Sequence, residues 1–151
     1  MSDQRWIDAG VNLFAAQFDA DRNEMLSRAF DAGVQELLLI GSDIGETLRN
    51  IQLSAEYQGQ LKLFTTAGVH PHQAGAVTKD WLEQLQQCFS HDSVVAVGEC
   101  GLDFNRMFSP MAAQIEVFTA QLELSKQLYK PVYLHERDAF DTQLSILKNQ
   151  Q

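Results

Sequence analysis

Segments of strand character and segments of helical character alternate five times along the 151 residues. No hairpin signal separates any two of the strands. Such a chain is limited to parallel strands joined by right-handed helical crossovers. The unit repeats at roughly 30 residues, the length of a strand plus its crossover helix. A first strand opens at Arg5-Trp6-Ile7-Asp8, and a helix over residues 21–31 carries Met25, Leu26, Ala29 and Phe30 on one stripe, with Gly33 placed to stop it. Residues 36–41 read as a second strand, and residues 45–57 as a helix with Leu48, Ile51 and Ala55 at helical spacing. A third strand covers residues 61–69 and ends at His70-Pro71-His72, before a helix marked by Trp81, Leu82 and Leu85. Residues 94–98 form a fourth strand and residues 110–128 a long helix, with Pro110 suited to its first turn. The fifth strand is residues 131–135, and a fifth helix begins near Ala139.

Two architectures satisfy this order, an open doubly wound sheet and a (β/α) barrel. The first strand–helix turn has no glycine-rich phosphate loop, so the nucleotide-binding open sheets gain no support. A complete barrel takes about 250 residues and eight strands. Five units are therefore expected to be the first part of one, a single domain over residues 1–151 that is incomplete at its C-terminal side. Its first and last strands would then expose open apolar edges. That predicts a chain that is unstable alone, self-associates, or is completed by a separate chain carrying the remaining strands.

The chain has 20 acidic and 11 basic residues, a net charge of −9. This argues against nucleic-acid binding through a basic surface. It leaves room for a phosphodiester at a metal site, where bound cations supply the local positive charge. No apolar run approaches the roughly 20 residues of a membrane span, and residues 1–5 show no signal-peptide core. Cys88 and Cys100 have no metal-site or disulfide-framework spacing. A cytoplasmic location is expected.

The chemistry concentrates in Val94-Val95-Ala96-Val97-Gly98-Glu99-Cys100-Gly101-Leu102-Asp103-Phe104. A carboxylate at the end of a buried strand needs a partner, a hydrogen bond or a metal. Alternation along a strand puts Glu99 on the face of Val95 and Val97, His135 on that of Tyr133, and His70 on that of Gly68. If those faces point into a barrel, Glu99, His135 and His70 converge at its carboxyl rim, where barrel active sites lie. A carboxylate with imidazoles is a metal set. Arg137 either clamps a phosphate or pairs with Asp103 or Asp138, and Asp138 suits the N-cap of the last helix. His72 and His91 read as exposed loop residues, and Cys100 as a packed one.

Four pieces of the chain resemble the TatD family of metal-dependent deoxyribonucleases. They are Asp8-Ala9-Gly10-Val11-Asn12-Leu13, Ala67-Gly68-Val69-His70-Pro71-His72, Gly98-Glu99-Cys100-Gly101-Leu102-Asp103-Phe104 and Leu134-His135-Glu136-Arg137-Asp138-Ala139. Their order and spacing match the family's from near the start of the chain to its end. The resemblance implies a TIM-type barrel of the amidohydrolase-like kind, here its first five units. It implies 3′–5′ exonucleolytic hydrolysis of single-stranded DNA, and of RNA as a second substrate, with a divalent metal. Mg2+ is the first expectation, and Mn2+ or Zn2+ the alternatives. Glu99 is then the carboxylate ligand and the catalytic residue, and His135 the imidazole ligand. His70, Asp103 and Arg137 would contact substrate.

Two departures follow from the same comparison. Many members carry a His-x-His pair on the first strand where this chain has Gly10 and Asn12, vestigial metal positions. Members also supply a later His and Asp from strands beyond residue 151. A non-catalytic fragment is therefore the competing reading, and hydrolysis of a small amide or ester a weaker third.

Overall fold

A computed structural model describes residues 5–150, so the readings made on residues 1–4 and 151 lie outside it. The strands are β1 (Trp6–Val11), β2 (Val34–Leu39), β3 (Lys62–Ala67), β4 (Val94–Asp103) and β5 (Val132–Arg137). The helices are α1 (Arg22–Asp31), α2 (Ile44–Glu56), α3 (Trp81–Cys88), α4 (Met111–Leu128) and α5 (Phe140–Lys148). All strands pair in parallel, in the spatial order β1-β2-β3-β4-β5. A doubly wound sheet reverses its strand order at a switch point. This sheet never does, so the order selects the barrel, and five strands make a half-barrel of the TIM type. Among the described residues β1 pairs only with β2 and β5 only with β4.

The helices pack on the outer face, where the core lies. Leu26 of α1 meets Leu37, Leu39 and Leu63 of the sheet, and Leu85 of α3 meets Val94 and Leu124. Phe118 and Leu122 of α4 cover Cys100 and Leu102. Cys100 is fully buried, and burial, then the neighbouring Glu99, pushes its thiol up to about 12, so it is inert packing. β1 is exposed over most of its length, with Trp6 at 53% and Ile7 at 63%, because nothing among the described residues covers its open edge.

Three buried glutamines fix the ends of the strands. Gln121 of α4 accepts from Val69 N at 2.8 Å and donates to Val69 O at 3.0 Å. Seven residues earlier on the same helix, Gln114 holds Asp103 N and O in the same way, at 2.8 and 3.0 Å. Gln143 of α5 accepts from Leu102 N at 2.8 Å. Each amide supplies the bonds a neighbouring strand would otherwise give, as buried backbone groups require.

The strand expected over residues 94–98 continues to Asp103, so Glu99 lies within β4 rather than at its end. The β4–β5 pairing runs Gly98↔Tyr133, then Cys100↔Leu134 and Gly101↔His135, leaving Glu99 without a partner on β5. This is a bulge, which redirects one side chain and bends the strand. Two glycines permit it. Gly98 has φ +137° and Gly101 φ +144°, and a Cβ there would lie 2.3 Å from Tyr133 O and 1.9 Å from His135 O. The freed Glu99 N–H donates instead to Gly41 O, just beyond β2, at 3.0 Å.

The last helix begins differently from expectation. Ala139, not Asp138, is the N-cap residue of α5. Asp138 has φ +53° and accepts from Asn105 Nδ2 at 2.7 Å, while Glu136 accepts from Ala139 N at 2.8 Å. The carboxylate that satisfies the helix start thus comes from the end of β5.

Candidate metal centre

Three separate elements bring His70, Glu99 and His135 to one place. His70 follows β3 and opens a short 3-10 turn (Pro71–Ala76), its own N–H bonded to Ser42 O at 2.8 Å. Glu99 is the bulged residue of β4, and His135 lies on β5 beside Gly101. Each turns one atom of a kind that can bind metal toward the others, and these atoms lie within 4.8 Å of one another. His135 Nδ1 is 3.3 Å from Glu99 Oε1 and 3.3 Å from His70 Nε2.

Hydrogen bonds assign the imidazole protons. Asp103 Oδ2 lies 3.3 Å from His135 Nε2 and 2.7 Å from His72 Nε2, so both nitrogens are donors. His135 Nδ1 then carries a lone pair that faces the Glu99 carboxylate. Two acceptors at that distance repel unless a proton or a metal cation sits between them. Ligands about 2.1 Å from an ion at tetrahedral corners are roughly 3.4 Å apart, so this pair fits a divalent metal. His70 differs. Its Nδ1 accepts the His72 N–H at 3.1 Å, so its proton is on Nε2. In that tautomer the His70 Nε2–H donates to His135 Nδ1 at 3.3 Å, the lone pair a metal would take, and His70 is a donor beside the pair rather than a third ligand.

Burial, then the proximity of His135 and His72, lowers the His70 pKa from 6.5 to about 4, keeping the ring neutral. Asp103 is 1% exposed. Burial alone would raise its pKa. The N–H groups of Arg106 and Asn105, at 2.8 and 3.0 Å on Oδ1, and the His72 ring outweigh that and hold the carboxyl well below the usual range. Asp103 is therefore an anion behind the imidazoles, and not the cleft-lining group expected of it.

Sequence reading missed His72, expected as an exposed loop residue. Its side chain is only 28% exposed and is bound to Asp103. The signal was Pro71, which fixes the turn that folds the ring back. His91 is exposed, as expected. Arg137 is also exposed, and no ion pair to Asp103 or Asp138 is found among the described residues.

Asn12 lines a cavity of about 330 Å³ together with Ser42, Glu46, His70, His72 and Glu99. Glu46 is held there by Ser42, accepting from its N–H at 3.1 Å and from its hydroxyl, while Asp43 caps α2 through Glu46 N at 2.7 Å. Gly10 faces differently. A Cβ on it would lie 3.0 Å from the Tyr133 hydroxyl, so a tyrosine occupies the space over that position.

Comparison with known proteins agrees with this geometry. The family model described as TatD related DNase matches residues 7–151. The 3'-5' ssDNA/RNA exonuclease TatD of Cronobacter turicensis is 44% identical over 140 residues, covering 93% of this chain and 52% of that protein. The chain thus spans about half the length of the curated relatives it matches. A solved TatD-family hydrolase from Entamoeba histolytica superimposes with TM-score 0.90 at 26% identity, over 97% of this chain and 55% of its own. A TatD homologue from Escherichia coli K12 gives 0.86 at 32% identity, over 97% and 56%. With a half-barrel, a metal-ready carboxylate–imidazole pair and a family match over nearly its whole length, this chain belongs to the TatD-related DNase family.

Proposed function

We propose that this chain hydrolyses phosphodiesters of single-stranded DNA and RNA from the 3′ end, with a divalent metal, as a single hydrolase domain over residues 1–151. The observation that carries the reading is the Glu99–His135 pair, two acceptors 3.3 Å apart with Asp103 fixing the imidazole from behind. Substrate and direction are those of its relatives, 3'-5' ssDNA/RNA exonucleases.

Glu99 and His135 hold the cation, and Glu99 is the catalytic carboxylate. When bound, the ion supplies positive charge to the phosphoryl oxygens and to the attacking water. With a metal on His135 Nδ1, the His70 Nε2–H, 3.3 Å from that nitrogen, would turn to a non-bridging phosphate oxygen as a hydrogen-bond donor. Arg137, two residues beyond His135, engages a neighbouring phosphate bidentately. Asp103 orients His135 and His72 and does not touch substrate. Asn12 adds a neutral oxygen on the β1 side, and Gly10 adds nothing. Mg2+ is the working ion, although an imidazole in the set also admits Mn2+ and Zn2+.

The open edges of β1 and β5, with Trp6, Ile7 and Leu134 exposed, support self-association or pairing with a complementary chain. Size-exclusion chromatography then gives a mass above that of one chain. Two free buried cysteines suit a reducing compartment, the cytoplasm. No helix among the described residues is long and apolar enough to cross a membrane.

The test is release of nucleotides from 3′-labelled single-stranded DNA with Mg2+, with and without EDTA, by the native sequence and by Glu99→Gln. EDTA-sensitive release abolished by the substitution is expected. Unchanged release by Glu99→Gln removes that residue from the mechanism. No release by the native chain leaves the competing reading, a non-catalytic module. Turnover of a lactone or cyclic amide but not DNA assigns the amidohydrolase reading instead.

A further inference from the structure

Between β4 and α4, residues 104–110 form a loop that is pinned at its base yet presents an aromatic ring to solvent. Asn105 N and Arg106 N bind Asp103, and Asn105 Nδ2 binds Asp138 at 2.7 Å. At its other end Ser109, 2% exposed, donates to His72 O at 2.9 Å and accepts from Gly75 N at 2.8 Å. Gln114 donates to Ser109 O at 2.9 Å. Between these anchors Phe108 is 66% exposed, and Arg106 is exposed and forms no ion pair among the described residues.

The exposed ring is not isolated. Phe108 meets His72 edge-on, centroids 4.8 Å apart at 86°. His72 meets His70 at 4.3 Å, and His70 meets His135 at 4.4 Å. A continuous row of four rings therefore runs from solvent to the metal pair. Core packing does not account for an aromatic left two-thirds in water on a loop this firmly held. A ring and an exposed guanidinium beside a hydrolytic centre are the elements used to hold single strands, one stacking a base and the other meeting a phosphate.

We propose that Phe108 stacks the base of the 3′-terminal nucleotide and that Arg106 contacts the next phosphate, so that the loop seats the strand end over the metal pair. This deepens the hydrolase reading and rests on it for the class of ligand. Phe108 would select for a base of any identity at the strand end, and against an abasic one.

Binding is measured in EDTA, so that nothing is cleaved, using fluorescein-labelled six-residue oligothymidylates with either an intact or an abasic 3′ terminus. The native chain is expected to bind the abasic strand about 5- to 150-fold more weakly, the range for one stacked base. Phe108→Ala is expected to bind both strands equally, at the weaker level, and Phe108→Trp to restore the difference. Arg106→Gln is expected to flatten the salt dependence of log K by about 0.7, one phosphate contact on a single strand. An unmodified salt slope removes Arg106 from the seat. A native chain that binds neither strand, or ignores the terminal base, overturns the proposal, as does Phe108→Ala that still discriminates. If Phe108→Ala does not fold, the abasic comparison in the native chain and the Trp variant decide. Base-dependent binding without Mg2+-dependent cleavage sinks the hydrolase reading alone. Cleavage without base dependence sinks this proposal alone.

Discussion

Asp103 Oδ2 stands 3.3 Å from His135 Nε2, and the carboxylate itself is sealed from solvent. The contact makes His135 present Nδ1, and not Nε2, to Glu99. Second-layer carboxylates of this kind set tautomer and ring orientation, and removing one costs roughly 10- to 100-fold in metal affinity.

Asp103→Asn is therefore expected to weaken Mn2+ binding by about 10- to 100-fold. The amide can still accept the Asn105 and Arg106 N–H groups, so the loop should survive. Isothermal titration measures the affinity and circular dichroism the fold. Wild-type affinity in a folded variant would show that His135 needs no support from Asp103.

Gly101→Ala tests the bulge. The residue sits at φ +144°, and the added methyl would collide with His135 O at 1.9 Å. A loss of at least about 2 kcal/mol is expected from backbone strain and the clash together. Urea denaturation reads it as a lower midpoint at unchanged slope. A midpoint within error of the native chain would mean that β4 and β5 separate there without cost.

Much of this was legible in the chain. The apolar segments at roughly 30-residue spacing identified the five strands and the five α-helices, though not the short 3-10 turns, because parallel strands covered by helices need continuous apolar runs. Convergence of His70, Glu99 and His135 followed from strand alternation, although the route differed. Glu99 reaches the site through a bulge, and two-residue periodicity cannot register an inserted residue. Gln114, Gln121 and Gln143 were not legible, since a polar residue on an amphipathic helix reads as solvent-facing. Nor was the burial of Asp103, whose partners lie two and three residues ahead on the loop and across the fold at His72 and His135.

Stability should fall with acid in two stages. His70 has its pKa lowered from 6.5 to about 4, so between those values the unfolded chain binds a proton that the folded chain refuses. Its contribution is complete above pH 6.5 and is lost as pH falls towards 4. Asp103 is also depressed, so its contribution is present above the ordinary carboxylate value and is lost below about 4. Urea midpoints at pH 7.5, 6, 5 and 4 should decline throughout, and His70→Asn should flatten the upper part of the curve. A native profile that is level between pH 7 and pH 5 would contradict this.

The central claim is that Glu99 and His135 share one cation, and Mn2+ binding followed by electron paramagnetic resonance tests it most directly. The native chain should take up Mn2+, Glu99→Gln and His135→Ala should each lose it, and the exposed-loop variant His91→Ala should keep it. Native-level uptake by either of the first two variants would contradict the account.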